Sequence, residues 1–96
     1  MRLTIYSKPG CHLCEDMKAL VTRVVGARSD ISIETIDIST DPALMKLYEL
    51  EIPVLMIDGK KAAKFRVSEP ELRRRLNARQ HEVLMDEVEA WLRGQA

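Results

Sequence analysis

The chain begins with a short stretch in which hydrophobic and polar residues alternate, and the pattern then changes to a helical period. Residues 2–6 alternate around Leu3 and Ile5, which predicts a strand, and a Pro-Gly turn ends it. From Cys11 onward the apolar residues recur at helical spacing, which predicts an amphipathic helix that ends near Gly26. The apolar face of this helix contains Leu13, Met17, Leu20, Val21 and Val24.

The middle of the chain predicts a second strand and a short helix. Isoleucines at positions 31, 33, 36 and 38 mark the strand, and their blurred alternation indicates a strand covered by helices on both faces. Asp41 followed by Pro42 is typical of a helix N-terminus, with the aspartate as N-cap and the proline at the first helical position. The inner face of this helix is expected to contain Leu44, Leu47 and Tyr48.

A β-hairpin follows the short helix. Residues 52–57 predict a third strand, and the Asp58-Gly59 pair predicts a two-residue turn. Residues 60–66 predict the return strand. Its lysines indicate an edge position, because charged residues discourage pairing with another chain.

The last part of the chain predicts helical structure. Residues 68–71, Ser-Glu-Pro-Glu, form a capping box, and Leu72 and Leu76 then give the helix an inward face. Apolar positions continue beyond Asn77 at Val83, Leu84, Val88, Trp91 and Leu92. The pattern leaves open whether one long helix or two helices contain them.

The order of these elements, βαβαββα, predicts an α/β fold. A βαβ unit followed by a hairpin and a closing helix gives a four-stranded mixed sheet flanked by helices. A chain of 96 residues is long enough for one domain with one modest core.

Charge and hydropathy exclude several classes of function. Fifteen Lys and Arg residues balance fifteen Asp and Glu residues, which argues against a nucleic-acid partner because phosphate binding needs a surplus of positive charge. No apolar run approaches the roughly 20 residues that a membrane-spanning helix needs, so no membrane association is expected. The N-terminal residues do not resemble a secretory signal peptide, and the expected location is the cytoplasm.

The candidate chemistry of the chain lies in its two cysteines, Cys11 and Cys14. A disulfide framework would join distant cysteines, whereas this Cys-x-x-Cys pair closes almost no loop. Thiol–disulfide exchange needs an exposed thiolate and a second thiol that resolves the mixed disulfide. A cysteine at a helix N-terminus suits the first role, because the unpaired N–H groups of the first turn stabilise a thiolate.

Helical spacing gives the two sulfurs different surroundings. Cys14 lies on the face of Met17, Val21 and Val25 and should be buried. Cys11 lies at the start of the helix and should be exposed. We therefore expect Cys11 to attack a disulfide and Cys14 to release the product. His12 is expected to tune Cys11 rather than to act as a ligand or general base.

Two other interpretations stay open. Cys11, His12 and Cys14 offer three ligands to a metal ion, but structural zinc takes four, and His81 lies far along the chain. No metal site is therefore predicted within one chain, although two copies could form a thiolate metal or iron–sulfur carrier. The cysteine pair could also be vestigial, in a non-catalytic interaction domain.

The first strand, the Cys-His-Leu-Cys segment at 11–14 and the Ile-Pro-Val segment at 52–54 together resemble the glutaredoxin-like branch of the thioredoxin superfamily. The resemblance covers about residues 1–78 and implies a thioredoxin-like fold, with residues 79–96 as a C-terminal helical extension of the same domain. It also implies thiol–disulfide oxidoreductase activity, of the kind that serves electron transport and cell redox homeostasis.

Several site residues follow from this resemblance. It implies a cis peptide bond between Ile52 and Pro53, and an Ile52 backbone that pairs with a bound peptide or with glutathione. Lys8 matches a lysine that glutaredoxins place near the thiolate and near a carboxylate of glutathione. The candidate substrate-binding residues are Lys8, His12, Leu13, Ile52 and Pro53.

The chain departs from the family pattern where glutathione would bind. Residues 65–69, Phe-Arg-Val-Ser-Glu, replace the Gly-Gly and acidic pair of glutaredoxins, and His-Leu replaces their Pro-Tyr. Ser68 opens a helix whose N–H groups could receive a carboxylate, but Glu69 and Glu71 would repel it. The expected substrates are protein or low-molecular-weight disulfides, with a reductase or, less favoured, glutathione as electron donor. No bound cofactor is expected.

The final helix is basic in its first half and acidic in its second. Pairs at i and i+4 can stabilise it locally; they are Glu69–Arg73, Glu71–Arg75 and Glu89–Arg93. A solvated charged face is one interpretation, and antiparallel pairing of the basic half with the acidic half of another copy is the alternative. The seam of that pairing would contain Val83, Leu84, Val88 and Trp91. We therefore expect a monomer or a weak homodimer.

Overall fold

The computed structural model of the chain describes residues 1–94. Its elements are β1 (Arg2–Ser7), α1 (His12–Val25), β2 (Ser32–Asp37), a single 3₁₀ turn (Ile38–Thr40), α2 (Pro42–Tyr48), β3 (Val54–Ile57), β4 (Lys60–Lys64) and α3 (Glu69–Gly94). This order confirms the predicted α/β fold. The 3₁₀ turn was not predicted; the Asp37 carboxylate caps it by accepting the Ser39 N–H at 2.9 Å.

The four strands form one mixed sheet in the order β2-β1-β3-β4. β1 is parallel to β2 and antiparallel to β3, and β3 is antiparallel to β4. The side chains on one face of β1 and β3 are fully or almost fully buried against α1 and α3. These residues are Leu3, Ile5, Leu55 and Ile57 on the strands, Met17, Val21 and Val25 on α1, and Leu72 and Leu76 on α3.

The buried face of α1 is shifted slightly from the predicted one. Cys14, Met17, Val21 and Val25 are buried, and the remaining apolar residues of the helix lie half-buried at its margins. The helix ends at Gly26, whose N–H donates to the Thr22 carbonyl at 2.7 Å. The spacing therefore predicted the helix, its end and the inward face of Cys14 correctly, whereas Leu13, Leu20 and Val24 lie at the margin of the core.

The interpretation of β2 as a strand covered on both faces is wrong. β2 lies at an edge of the sheet, and Ser32, Ile33, Glu34 and Thr35 are exposed. The buried isoleucines are Ile31 and Ile38, just outside the two ends of the strand. The alternation is blurred because the strand lies beyond the reach of the helices.

The short helix α2 packs less closely than its pattern suggested. No residue of α2 is fully buried, and Leu47 is exposed rather than inward. Tyr48 supplies the contact with the sheet by stacking on Tyr6, with the ring centroids 4.7 Å apart. Because Tyr6 points away from α1 and α3, helices do lie on both sides of the sheet, as predicted.

A tight turn joins β3 to the edge strand β4, as predicted. Asp58 and Gly59 have φ angles of +47° and +81°, the left-handed backbone that a two-residue hairpin turn requires. The Asp58 carboxylate accepts the Arg2 N–H at 2.7 Å and the Arg79 Nε–H at 2.9 Å. One aspartate therefore joins the hairpin, the first strand and the last helix.

α3 is a single unbroken helix, which settles the choice between one helix and two. Its N-terminus is capped by Ser68 Oγ, which accepts the Glu71 N–H at 3.2 Å. All three predicted i, i+4 ion pairs form. At about 1.5 Å per residue the helix is roughly 39 Å long. The radius of gyration, 15.4 Å, exceeds the roughly 12.5 Å of a compact domain of this length, because the end of α3 projects.

Candidate redox site

The candidate site is at the N-terminus of α1, where Cys11 and Cys14 form a disulfide with their Cα atoms 5.2 Å apart. Cys11 is the N-cap residue, with an extended backbone after the Pro9-Gly10 turn. Its Sγ accepts the Cys14 N–H at 3.1 Å, and its carbonyl accepts the Glu15 N–H at 3.2 Å. The sulfur of Cys11 therefore takes one of the N–H groups that a helix N-terminus leaves without a partner.

The two cysteines differ in exposure as their spacing predicted. Cys14 has no exposed surface, whereas Cys11 is half-buried. The difference follows from helix geometry: Cys14 lies one turn before the buried Met17, and Cys11 precedes the helix. An incoming disulfide can therefore approach Cys11 but not Cys14.

The Ile52–Pro53 peptide bond is cis, as the family resemblance implies. Pro53 is buried, and its carbonyl accepts the Phe65 N–H at 2.9 Å. Tyr6 near the end of β1 pairs with Val54 at the start of β3. The cysteine segment follows β1 and Pro53 precedes β3. The register of these two antiparallel strands therefore brings both segments to the same end of the sheet.

The Ile52 backbone is only partly free for a substrate. Its N–H donates to the Tyr48 carbonyl at 3.1 Å, so α2 already uses this group. Within residues 1–94 the Ile52 carbonyl accepts no hydrogen bond from the chain. The carbonyl is thus the backbone group of Ile52 that has no partner among the described residues.

The other three candidate substrate-binding residues lie close to the cysteines in the sequence. His12 is exposed and begins α1, and Leu13 is half-buried beside it. Lys8 is half-buried and lines a cleft of about 250 Å³ together with Asp37 of β2. Hydrogen bonds from Ser39 lower the pKa of Asp37, and attraction to nearby lysines, including Lys8, adds to this. The sequence did not single out Asp37, because only the parallel pairing of β1 and β2 brings it near Lys8.

The segment that replaces the glutathione-binding pattern lies along a second cleft. This cleft has a volume of about 380 Å³ and lies between α1 and residues 65–67, with Arg23 and Arg66 among its lining residues. Glu69 forms an ion pair with Arg23 at 3.2 Å and with Arg73 at 3.5 Å. Glu71 likewise pairs with Arg74 and Arg75. The repulsion expected from the two glutamates is therefore weaker than their sequence positions indicated.

Phe65 is a site residue that sequence reasoning missed. It adopts a φ of +65°, the left-handed region that favours glycine, and its side chain is 42% exposed. In this conformation the Phe65 N–H donates to the Pro53 carbonyl. The signal available in the sequence was weak: a large apolar residue stands where the related pattern has glycine.

The described part of the chain carries two further findings. Among residues 1–94 no group of three or more His, Cys, Asp or Glu side chains is placed to hold a metal ion. Across the same residues, no helix combines the length and the apolar character needed to cross a membrane.

The fold and the Cys-x-x-Cys site define a class of protein, the thioredoxin-like α/β proteins. Thioredoxin 1 from Thermosipho africanus TCF52B has the same fold, with a TM-score of 0.55 over 83% of this chain and 99% of that one, at 18% identity. A family model, the Glutaredoxin-like domain (DUF836), matches residues 2–77. The chain therefore belongs to the glutaredoxin-like family that this model describes.

Two solved structures are similar in both sequence and fold. Protein XcR50 from X. campestris is 28% identical, with a TM-score of 0.68 over 79% of this chain and 96% of that one. Protein Ne2328 from Nitrosomonas europaea is 32% identical, with a TM-score of 0.60 over 74% of this chain and 85% of that one. A search of curated proteins gave no match.

Proposed function

We propose that this protein is a thiol–disulfide oxidoreductase that cycles Cys11 and Cys14 between a dithiol and a disulfide. One observation carries the proposal: the half-buried Cys11 sulfur accepts an N–H of the first turn of α1, while its partner sulfur is buried. A helix N-terminus stabilises negative charge on the Cys11 sulfur, and burial protects the Cys14 sulfur from solution oxidants.

The reaction begins with the reduced protein. The Cys11 thiolate attacks one sulfur of a substrate disulfide, forming a mixed disulfide and releasing the other substrate sulfur as a thiolate that takes up a proton. Cys14 then loses its proton, and its thiolate attacks the Cys11 sulfur. The mixed disulfide breaks, the second substrate thiol leaves, and the Cys11–Cys14 disulfide forms. Two electrons pass from the protein to the substrate. An external thiol reductant then supplies two electrons that reduce the Cys11–Cys14 disulfide again.

The surroundings of Cys11 supply the proposed substrate contacts. The Ile52 carbonyl has no hydrogen-bond partner within residues 1–94 and is the proposed acceptor of an N–H from an extended peptide. Leu50, two residues earlier, is 87% exposed and offers apolar contact. His12 and Leu13 flank the attacking sulfur. This mixture of one backbone acceptor and exposed apolar groups favours protein disulfides over small ones.

We further propose that the protein acts in the cytoplasm, a reducing compartment, with electrons from glutathione or from a thioredoxin-type reductase. The arginines that pair with Glu69 and Glu71 reduce the repulsion of a glutathione carboxylate. Arg66, in the cleft beside α1, adds a further cationic group. These features keep glutathione as a candidate donor beside the reductase.

The test is reduction of a model protein disulfide, with glutathione or thioredoxin reductase as the electron source. Cys11→Ser should lower the rate to background, because no other sulfur can attack. Cys14→Ser should accumulate the mixed disulfide on Cys11, which mass spectrometry detects. Ser29→Ala, an exposed loop substitution, is the matched control and should keep the full rate.

Some outcomes of this experiment would reject the proposal. Wild-type protein that is inactive with both donors, although both thiols react with an alkylating agent, is not an oxidoreductase of this kind. Stoichiometric zinc, copper or iron–sulfur on the inactive protein would favour a carrier. Partner binding that is indifferent to Cys11→Ser would favour an interaction domain.

A further inference from the structure

The C-terminal end of α3, which we call the arm (residues 80–94), carries an exposed apolar stripe. Five of its six large apolar side chains are between 41% and 64% exposed, and the sixth, Val83, is half-buried. The five exposed ones are Leu84, Met85, Val88, Trp91 and Leu92. A stripe of this size is unusual on a helix that remains in water.

The stripe points away from the rest of the molecule. Successive residues of an α-helix are rotated by about 100°, so Val88, nine residues after Arg79, lies on the opposite side of α3. Arg79 faces the hairpin, where it binds Asp58, and the buried Leu76 faces the sheet on the same side. No part of the chain's own core can therefore cover the stripe.

The arm also lies outside the part of the chain that the family shares. The family model ends at residue 77. The similarity to XcR50 covers 96% of the XcR50 chain but only 79% of this chain. Asp58 holds α3 at the end of the sheet opposite Pro53, so the arm projects away from the disulfide. The shared fold does not include the arm. The apolar stripe of the arm therefore has no role in that fold.

The stripe is symmetric along the chain about Val88. Leu84 and Leu92 lie four residues before and after it, and Met85 and Trp91 lie three before and after it. In two antiparallel helices related by a two-fold axis at Val88, Leu84 of one copy lies at the level of Leu92 of the other, and Met85 lies at the level of Trp91. A two-fold interface requires this kind of self-complementary surface.

We propose that the arm binds the arm of a second copy in an antiparallel pair with the two-fold axis at Val88. All five apolar residues are then buried between the two helices. The alternative register, basic half against acidic half, would place Val88 against Arg74 when Arg75 meets Glu87. It would also need arginines that already pair within their own chain, such as Arg75 with Glu71 at 2.8 Å.

The charges beside the stripe distinguish this pairing from other occupants. Glu87 and Glu89 lie about 100° to either side of Val88, so each faces its own copy across the seam. Salt should screen this repulsion and strengthen the dimer, whereas it would weaken a basic-to-acidic pairing. The same glutamates oppose an anionic lipid surface, because interfacial helices carry Lys and Arg beside the apolar face.

Sedimentation over a range of protein concentrations tests the proposal, with the fluorescence of Trp91, the one tryptophan of the chain, as a second readout. We expect a concentration-dependent dimer and a blue shift of the emission as it forms. Val88→Glu should raise the dimer dissociation constant at least about tenfold, because two charges then meet at the axis. Ala90→Glu adds the same charge on the far side of the helix and should leave the constant unchanged.

Cross-linking tests the register. In a Cys11→Ser, Cys14→Ser background, Val88→Cys should oxidise to a disulfide-linked dimer, because position 88 meets itself at the axis. Ala90→Cys, with its sulfur on the far side, should remain mostly monomeric. The reverse ranking overturns the proposed register.

Three further outcomes overturn the proposal. The first is wild-type protein that stays monomeric at every concentration tested. The second is a dimer that Val88→Glu and Ala90→Glu weaken equally, since its interface is not the stripe. The third is a dimer that dissociates as salt is added, since this indicates the basic-to-acidic register. Circular dichroism of each variant excludes a loss of helix as the cause.

Discussion

At the scale of single residues, Asp58 carries more of the structure than its place in a turn suggests. Its carboxylate binds the backbone of Arg2 and the guanidinium of Arg79, 21 residues further along the chain. The sequence predicted the turn from the Asp-Gly pair. It could not predict the two partners, because only the packing of α3 against the hairpin brings Arg79 there.

We expect Asp58→Asn to lower the free energy of unfolding by about 1–2 kcal/mol, because it removes a charged acceptor from a partly exposed network. Urea unfolding at neutral pH measures the loss. Asp86→Asn is the matched control: Asp86 is exposed on the arm and should cost less than about 0.5 kcal/mol. Equal effects of the two substitutions would mean that the network contributes nothing.

The pH dependence of stability should report on the same carboxylate. The Arg2 N–H and the Arg79 guanidinium hold the pKa of Asp58 below its usual value of 3.8. A lowered folded-state pKa stabilises the fold above about pH 4, and this contribution is lost as the pH falls through the folded value. Unfolding measured between pH 5 and pH 2 should therefore decline less steeply for Asp58→Asn than for the wild type. An unchanged slope would contradict this assignment.

Phe65 offers a second test at this scale. A left-handed φ costs a residue with a side chain roughly 1–2 kcal/mol relative to glycine. We therefore expect Phe65→Gly to be more stable than Phe65→Ala by about 1 kcal/mol in urea unfolding, since both lose the ring and only glycine avoids the strain. At position 90, on exposed helix, the order should reverse, with Ala90→Gly destabilising. Alanine at least as stable as glycine at position 65 would contradict the argument.

At the scale of elements, the hydrophobic pattern was most informative where one side of an element is buried. It predicted α3 from Ser68 onward because Leu72 and Leu76 contact the core. It could not decide whether the helix continues. The unbroken course follows from the absence of Gly and Pro between Glu71 and Arg93, together with ion pairs along the helix.

The two halves of α3 should respond differently to the same substitution. Leu76 is 2% exposed, and Leu76→Ala should lower the free energy of unfolding by about 3 kcal/mol through the cavity that it leaves. Leu84→Ala, on the exposed stripe of the same helix, should cost less than about 0.5 kcal/mol in dilute protein. Urea unfolding at low concentration compares them. Similar losses would mean that the arm folds back onto the core.

The pattern failed where exposure depends on distant elements. Ile33 and Leu47 occupy positions that local periodicity reads as inward, and both are exposed. Ile33 lies on an edge strand beyond the reach of α1, and Leu47 lies on a helix of two turns held mainly by Tyr48. Sequence periodicity describes which residues share a face, but not whether anything covers that face.

At the scale of the whole molecule, the candidate site was largely predictable because it depends on short-range features. The Cys-x-x-Cys spacing predicted that Cys14 is buried and that Cys11, which is half-buried, is the more accessible of the two. The Ile-Pro pair led through the family resemblance to the cis bond. The use of the Ile52 N–H by Tyr48 and the bond from Phe65 to Pro53 were not predictable. Both join residues whose distance in space is set by the assembled sheet.

Reduction of the disulfide tests whether it supports the fold. The Cys11–Cys14 disulfide closes a loop of only four residues. By reducing the entropy of the unfolded chain it should therefore raise the free energy of unfolding by only about 2 kcal/mol. The reduced protein should therefore stay folded, with a free energy of unfolding lower by at most about that amount. Urea unfolding with and without dithiothreitol provides the comparison, and Cys11→Ser should match the reduced protein. Collapse of the fold on reduction would make the disulfide structural and remove the basis for a redox cycle.

The unbroken course of α3 has a consequence for how the molecule presents its chemistry. One rigid rod begins beside the segment that binds Pro53 and ends beyond the opposite end of the sheet. The rigid helix therefore fixes both the distance and the direction from the disulfide to the end of the arm. If the protein is attached through its arm to a surface or to a fusion partner, the end of the sheet that carries Cys11 points away from the attachment. Two copies joined through their arms would then act on two separate substrates.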